Sequence, residues 1–207
     1  ASRLRQALEQ KEPIKLHIGC GPVLHPGWFN LDVSPPEGAL FLDARLPLPL
    51  PDDSVHTIFH EHFLEHLTLE QGFSFLSECA RVLEPNGWMR LSTPDLELII
   101  ATYLDRNPFV SRTDALIRHA RLRKMSGPLT AAMLFNDKMH LWNHRFIYDR
   151  ETLWHQLTDA GFQEIRVERF GESRQLELQG LERHADVAWM KVAEPLIVEA
   201  RRGPRGP

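Results

Sequence analysis

A short stretch of the chain, residues 60–66, concentrates histidines and carboxylates in the sequence His-Glu-His-Phe-Leu-Glu-His. A neutral imidazole can take a proton from a reacting group near neutral pH, which makes His62 a candidate general base. His62 and His66 also lie four residues apart, the spacing of two metal ligands on a helix, but no glutamate follows His62 directly, as the metalloprotease motif requires. Three interpretations stay open: a metal site, a structural role for Glu65 and His66, or a site surface made by the first three residues.

A second stretch, from His140 to Phe146, combines aromatic and basic residues. Placed over a site, such side chains can shelter a cationic group and orient a substrate. His144 is a second candidate base, whereas Trp142 and Phe146 can equally well anchor the stretch in the core. Asp95, which follows a predicted strand, can either act in catalysis or cap the next helix.

Two glycines and two carboxylates favour a ligand that contains a nucleoside. The turn Gly19-Cys20-Gly21 follows the first predicted strand, and glycines there let the backbone approach a ligand closely. In open α/β sheets, ligands bind beyond the carboxyl ends of the strands. Asp32 ends the second predicted strand and can accept both hydroxyls of a ribose, and Asp43 ends the third and can accept from an adenine amino group. Alternatively, the two aspartates only form turns.

These residues are positioned by strands that alternate with helices. Thr68 and Gln71 form a capping box, so that a helix begins at about Leu69, and Asp149 can cap a later helix that ends at Gly161. Alternation of this kind predicts a mainly parallel sheet with helices on both faces. The predicted strands span residues 14–18, 28–33, 40–42, 55–59, 89–92, 162–169 and 196–200, and the predicted helices include 2–10, 69–83 and 96–104.

The pattern changes between Arg106 and Phe146. Two helical segments, at about residues 113–125 and 129–135, are separated by Ser126-Gly127-Pro128. An insertion this long between a strand and the next helix is usually functional. We interpret it as a lid or substrate-binding cap over the carboxyl edge of the sheet, with an oligomer interface as the alternative.

Length and composition are those of a single α/β domain spanning residues 1–207. Cys20 and Cys79, the two cysteines of the sequence, do not make a disulfide framework or a zinc cluster, and they favour the reducing cytoplasm. We therefore expect no bound metal. The formal net charge of -4 gives no general attraction to nucleic acid, and no apolar run approaches the roughly 20 residues of a membrane helix. The basic residues 201–207 are predicted to be a flexible tail.

Several motifs together resemble the class I S-adenosylmethionine (SAM)-dependent methyltransferases, over residues 15–94 and more weakly over 148–162. The motifs are Leu16-His17-Ile18-Gly19-Cys20-Gly21, Asn30-Leu31-Asp32, Leu42-Asp43-Ala44, Pro49-Leu50-Pro51-Asp52-Asp53-Ser54-Val55, Phe63-Leu64-Glu65-His66-Leu67 and Arg81-Val82-Leu83-Glu84-Pro85-Asn86-Gly87-Trp88. The sequence best resembles predicted methyltransferases associated with polysaccharide and natural-product pathways. This resemblance implies a Rossmann-like, seven-stranded, mostly parallel sheet whose last strand is antiparallel.

The resemblance also implies the cofactor, SAM, and the residues that handle it. By their positions in the motifs and after the fourth strand, the SAM-binding residues would be Gly19, Cys20, Gly21, Asp32, Asp43, Ala44, His60 and Glu61. The candidate catalytic residues, proposed from their own chemistry, are His62, His144 and Asp95. The acceptor would be a small molecule, a glycan or a natural product that is methylated on oxygen or nitrogen, and the enzyme can be a homodimer. Another SAM-site enzyme, such as an aminopropyl transferase, and a non-catalytic SAM-binding domain stay open as alternatives.

Two features depart from the family pattern. The helix between the glycine turn and the second strand is nearly absent, since the six residues 22–27 include Pro22, Pro26 and Gly27. Fewer backbone N–H groups then point at a pyrophosphate, which favours SAM, a ligand without phosphate, over NAD. The third glycine of the family motif is also missing.

Overall fold

The computed structural model describes residues 2–124, 129–183 and 195–204. Within these residues, seven strands form one sheet: β1 (Lys15–Ile18), β2 (Phe29–Asp32), β3 (Leu40–Phe41), β4 (Val55–Glu61), β5 (Leu83–Pro94), β6 (Phe162–Val167) and β7 (Pro195–Arg202). Their order is β3-β2-β1-β4-β5-β7-β6. Strands β1 to β5 pair in parallel, and β7 is antiparallel to both of its neighbours. This arrangement confirms the predicted Rossmann-like sheet.

Six α-helices lie within the described residues. They are α1 (Ser2–Gln10), α2 (Leu69–Val82), α3 (Leu96–Tyr103), α4 (Arg112–Arg123), α5 (Ala131–His140) and α6 (Arg150–Asp159). Thr68 and Gln71 form the predicted capping box of α2, and the Asp149 carboxylate accepts the Thr152 N–H at 2.8 Å at the start of α6. Across the described ranges, no helix is both long and apolar enough to span a membrane.

The two faces of the sheet are covered differently in the described part of the chain. On one face, the main hydrophobic core packs strand residues such as Leu16 and Ile58 against α1, α2 and α6. On the other face lie residues 169–183, called the covering segment below, which include the short 3-10 helix Leu176–Leu178. Leu178 of this segment packs on Phe59 of β4. The adjacent β4 residues Ile58 and Phe59 thus belong to two separate apolar clusters.

A buried ion cluster holds the covering segment on the sheet. The Arg90 guanidinium on β5 is fully buried and donates to the carboxylates of Glu182 and, on β7, Glu199, each at 2.5 Å. It also donates to the backbone carbonyls of Arg169 at 3.1 Å and Glu172 at 2.9 Å. Buried charges are tolerated only when they are paired and hydrogen-bonded, and this cation joins two strands and the covering segment.

The insertion folds as helices α4 and α5, which correspond to the two helical segments predicted there. They share a small apolar cluster of Val110, Ala115 and Leu134. His119 on α4 and Asp137 on α5 join the two helices through a 2.7 Å contact between Nε2 and Oδ2. The predicted break at Ser126-Gly127-Pro128 lies outside the described residues.

The last strand corrects the predicted C-terminal tail. β7 continues through Arg202, so Arg201 and Arg202 are strand residues and not the beginning of a flexible tail. The reason is a long-range contact: the buried Arg202 donates to the Asp53 carboxylate and to the Leu83 carbonyl, which holds the end of the strand. Residues 205–207 lie outside the described ranges.

Candidate active site

A cavity of about 1100 Å³ opens at the carboxyl ends of β1, β2 and β4. It lies where the strand order reverses between β1 and β4, the position at which open α/β sheets bind ligands. Its volume is at the upper end of what small-molecule sites enclose. Of the predicted site residues, the wall contains Gly19, Cys20, Gly21, Asp32, Asp43, Ala44, Glu61, His62 and His144.

A hydrogen bond joins the glycine turn to Asp32 at the edge of this cavity. Gly19 and Gly21 have φ angles of +68° and +48°, and a Cβ on Gly19 would lie 2.4 Å from the Phe63 ring, so a side chain cannot fit there. The Gly21 N–H donates to one Asp32 oxygen at 2.9 Å, and the Ser34 N–H donates to the other at 2.8 Å. The Asp32 carboxylate is therefore fixed in direction before any ligand arrives.

Cys20 lies in this turn, but its surroundings do not suit a nucleophilic thiol. Its side chain is buried, and burial together with the nearby Asp32 charge raises the pKa of the thiol to about 11. The thiol therefore stays protonated at neutral pH.

The second aspartate, Asp43, is already paired. Arg45 donates to both of its oxygens, from Nε at 2.8 Å and from a terminal nitrogen at 2.6 Å. These hydrogen bonds lower the pKa of Asp43 to about 2, so the carboxylate is ionised at any physiological pH. A ligand amino group would share this carboxylate with Arg45.

His60 lies beneath the cavity and not in its wall, which corrects the prediction that it contacts a bound cofactor. Strand β4 extends to Glu61, two residues beyond its predicted end, so His60 is a strand residue that faces α2. Its ring is fully buried against Phe63 and Phe75, at centroid distances of 5.7 and 5.3 Å. Burial lowers its pKa to about 3, which keeps the ring neutral.

Asp95 is the N-cap of α3, which corrects its assignment to the catalytic residues. Its carboxylate accepts the backbone N–H groups of Glu97 at 2.8 Å and Leu98 at 3.3 Å. The residue lies outside the cavity wall, although Pro94 before it and Ile99 after it contribute to that wall. Capping explains why an aspartate stands at this position.

The candidate base His62 is oriented by a buried carboxylate. Its Nδ1 lies 3.0 Å from Oε1 of Glu65, and the other oxygen of Glu65 accepts the Thr93 hydroxyl at 3.1 Å. Burial opposes ionisation of Glu65, but the hydrogen bond from His62 and the neighbouring imidazoles outweigh it, and the pKa of Glu65 lies below its ordinary value. An ionised carboxylate only accepts, so His62 Nδ1 carries a proton and Nε2 is the acceptor nitrogen. A carboxylate–histidine pair of this kind suits proton abstraction.

A backbone carbonyl fixes the orientation of the His144 ring, as a carboxylate does for His62. Its Nδ1 lies 2.8 Å from the Lys138 carbonyl, and since a carbonyl only accepts, Nδ1 carries the proton and Nε2 has the lone pair. Burial lowers the pKa of His144, so the ring is neutral near pH 7. The N–H groups of Arg145 and Phe146 donate to the Glu65 carbonyl at 2.7 and 3.2 Å and hold this stretch against the residues that follow β4.

Glu65 and His66, for which the sequence left a metal site and a structural role open, belong to the same cavity. Both line the cavity, and the ligand atoms of Glu65, His66 and His144 all lie within 4.8 Å of one another. The interpretation of His62 and His66 as two metal ligands on one helix is wrong. His62 has a φ of +47°, and only the short 3-10 helix Leu64–His66 follows it. The sequence feature that pointed to this group was the concentration of histidines and carboxylates in residues 60–66.

The backbone is strained at both edges of this histidine group. His62, Trp142 and Asn143 have φ angles of +47°, +60° and +63°, a region that residues other than glycine seldom occupy. Trp142 also keeps 47% of its surface exposed while it lines the cavity, whereas Phe146 packs on Tyr148 in the core at a centroid distance of 4.8 Å. Strain of this kind is retained where a site requires it.

Part of the chain matches a known protein family. Residues 16–91, from β1 to most of β5, match the family described as a methyltransferase domain. No protein of curated function matches the sequence. The carboxyl ends of β1, β2 and β4, where the cavity opens, lie within the matched residues.

Solved structures share the whole fold. A SAM-dependent methyltransferase from Archaeoglobus fulgidus is 18% identical with a TM-score of 0.53, over 97% of this chain and 92% of that one. One from Mesorhizobium loti is 17% identical with a TM-score of 0.51, over 95% of this chain and 96% of that one. Phosphoethanolamine N-methyltransferase 2 of Haemonchus contortus, in complex with SAM, is 12% identical with a TM-score of 0.53, over 98% of this chain and 53% of that one. The family match over the carboxyl ends of β1, β2 and β4 and the shared fold thus make the chain similar to the SAM-dependent methyltransferases.

Proposed function

We propose that this methyltransferase transfers the methyl group of SAM to a hydroxyl group of a small-molecule, glycan or natural-product acceptor. The observation that carries the proposal is the pairing of His62 with the buried Glu65 in the wall of the cavity that also contains Asp32. A hydroxyl acceptor needs a base to take its proton, whereas an amine needs only to be held deprotonated. The oriented base therefore favours oxygen over nitrogen.

The residues at the β1–β3 end of the cavity fit SAM, which supplies a methyl group on a positively charged sulfur. Each oxygen of Asp32 accepts one backbone N–H, and a carboxylate oxygen retains a further lone pair for a ribose hydroxyl. Asp43 offers the same chemistry to an adenine amino group. We assign Gly19, Cys20, Gly21, Ala44 and Glu61 to the same binding surface because they line it.

The assignment of Asp32 predicts a loss of affinity. Asp32→Ala should weaken binding of SAM by about 1 to 3 kcal/mol, or about 5- to 150-fold in Kd, because the ribose hydroxyls lose a charged acceptor. Isothermal titration calorimetry measures this loss, with Asp159→Ala on the exposed end of α6 as the matched control. An Asp32→Ala variant that is folded and binds SAM as tightly as the wild type would remove Asp32 from the site.

The insertion supplies the acceptor end of the cavity. Leu122 of α4, Lys138 of α5 and Trp142 line it together with His144. In-line transfer between a neutral oxygen and a cationic sulfur creates little new charge, so the main requirements are alignment of the reactants and exclusion of water. Alignment alone can contribute on the order of 7 to 11 kcal/mol, and a cap of helices over the cavity is suited to provide it.

The direct test is a transfer assay with a panel of acceptors. Purified protein is incubated with SAM that carries a labelled methyl group and with phenols, sugars, hydroxylated aliphatic compounds and matched amines, and products are identified by mass spectrometry. We expect a methyl ether on a hydroxylated acceptor. Turnover of amines alone would contradict the proposed oxygen acceptor, and transfer of the aminocarboxypropyl group of SAM would contradict methyl transfer itself.

A further inference from the structure

We propose that Glu65, His66 and His144 bind a divalent transition-metal ion, and that this ion binds the hydroxyl group of the acceptor. The inference rests on the proposed function for the role of the ion, but the site itself is independent of it. It departs from the expectation of no bound metal, which considered the two distant cysteines and the histidine cluster of residues 60–66. The structure adds a third ligand from a distant part of the chain, His144.

The spacing of the three donors is close to that of a metal site. Their ligand atoms lie within 4.8 Å of one another, and all three residues line the cavity. Metal–ligand bonds of about 2.0 to 2.2 Å place ligand atoms roughly 3 to 4 Å apart. Small side-chain rotations bring the three donors onto one ion, and the backbone contacts from Arg145 and Phe146 to the Glu65 carbonyl already hold the two stretches together.

Two of the three ligands, His144 and Glu65, also have outer partners of the kind that metal ligands use. A ligating histidine usually donates its other ring N–H to a carbonyl or carboxylate, which directs the remaining lone pair at the ion. His144 does this through Nδ1 and the Lys138 carbonyl at 2.8 Å. Glu65 is fully buried, ionised and positioned by His62 and Thr93. A buried carboxylate beside two imidazoles gains a compensating charge when a cation binds.

The donor set indicates the class of ion. Two imidazole nitrogens and one carboxylate oxygen suit Zn²⁺, Mn²⁺, Fe²⁺ or Co²⁺ better than Mg²⁺ or Ca²⁺, which prefer oxygen ligands. Three protein ligands leave at least one position for a further ligand, as in catalytic metal sites. Because all three ligands line the cavity, a further ligand would come from the cavity.

The proposed role is activation of the acceptor hydroxyl. A bound divalent ion lowers the pKa of a coordinated oxygen, so the O–H bond breaks more readily and its proton passes to Nε2 of His62. The oxygen then forms a bond to the methyl carbon, and the electron pair of the carbon–sulfur bond stays with sulfur. The products are a methyl ether, the neutral thioether and a proton on His62.

Metal titration tests the site without any activity measurement. The full chain, purified without a histidine tag and treated with a chelator, is titrated with Co²⁺ and followed by its visible absorption. We expect one Co²⁺ per chain, displaced by Zn²⁺. His66→Ala and His144→Ala should each weaken binding by at least about 10- to 100-fold, since loss of even an outer partner of a ligand has an effect of that size.

The control is His155→Ala, a histidine on α6 whose side chain is 75% exposed, and it should bind Co²⁺ like the wild type. Thermal unfolding and affinity for S-adenosylhomocysteine verify that each variant is folded. The proposal is overturned if the wild type binds no Co²⁺, or if a folded His66→Ala or His144→Ala variant binds it as tightly as the wild type. Undiminished methyl transfer by chelated protein would remove the catalytic role of the ion and leave the proposed function standing. Metal binding without transfer to any acceptor would refute the proposed function and leave the site standing.

Discussion

His62→Asn is expected to reduce methyl transfer about 100- to 10,000-fold, the usual contribution of a general base. Asparagine tolerates the φ of +47° at this position, and its amide N–H can replace Nδ1 as the donor to Glu65. The substitution therefore removes the acceptor nitrogen Nε2 and preserves the local structure. Affinity for SAM should stay within about threefold of the wild type, because the loss is confined to the chemical step. Single-turnover rates and calorimetric Kd values distinguish a loss in the rate of methyl transfer from a loss of affinity for SAM.

A matched substitution controls for the loss of a histidine in general. His155→Asn, on the exposed surface of α6, should transfer methyl groups at the rate of the wild type. If His62→Asn transfers as fast as this control, the base is elsewhere, and His144 is the next candidate. If the affinity for SAM falls together with the rate, His62 supports the cofactor site and is not the base.

Arg90→Met should lower the free energy of unfolding by about 3 to 5 kcal/mol, the typical effect of removing one partner of a buried ion cluster. The substitution leaves the carboxylates of Glu182 and Glu199 buried without their cation, and two carbonyls of the covering segment lose their donor. Urea unfolding followed by circular dichroism measures the change.

The comparison is with Arg5→Met on the exposed side of α1, where we expect a change within about 0.5 kcal/mol. Adding Glu182→Gln and Glu199→Gln to Arg90→Met should recover part of the loss, because the uncompensated charges are removed. A loss below about 1 kcal/mol in Arg90→Met would show that the cluster does not stabilise the fold as its burial indicates.

Features set by neighbouring residues could be predicted from the sequence. The capping box of Thr68 and Gln71 and the glycine turn depend on contacts within a few residues, and the structure has both. The position of Asp32 at the cavity follows from the end of one strand and the parallel sheet. Local chemistry and strand topology are therefore sufficient for most of the wall at the β1–β3 end.

Features set by distant residues could not be predicted. Arg90 is separated from Glu182 and Glu199 by 92 and 109 residues, and no local pattern marks the three as one cluster. His60 was misassigned because the extra length of β4 depends on pairing with β5, where His60 pairs with Leu91.

The grouping of Glu65 and His66 with His144 could not be predicted for the same reason. It depends on how the insertion folds back on the residues after β4, through the hydrogen bonds from Arg145 and Phe146 to the Glu65 carbonyl. The local motif showed that the stretch was unusual, but the partner that gives it a chemical role comes from elsewhere in the chain.

The central claim is that the cavity beside Asp32 binds SAM, and calorimetry with S-adenosylhomocysteine tests it most directly. The wild-type chain should bind one molecule with a Kd in the micromolar range, about 8 kcal/mol of binding free energy, and the ligand should raise the temperature of unfolding. Absence of both binding heat and a thermal shift with S-adenosylhomocysteine and with SAM would contradict the account.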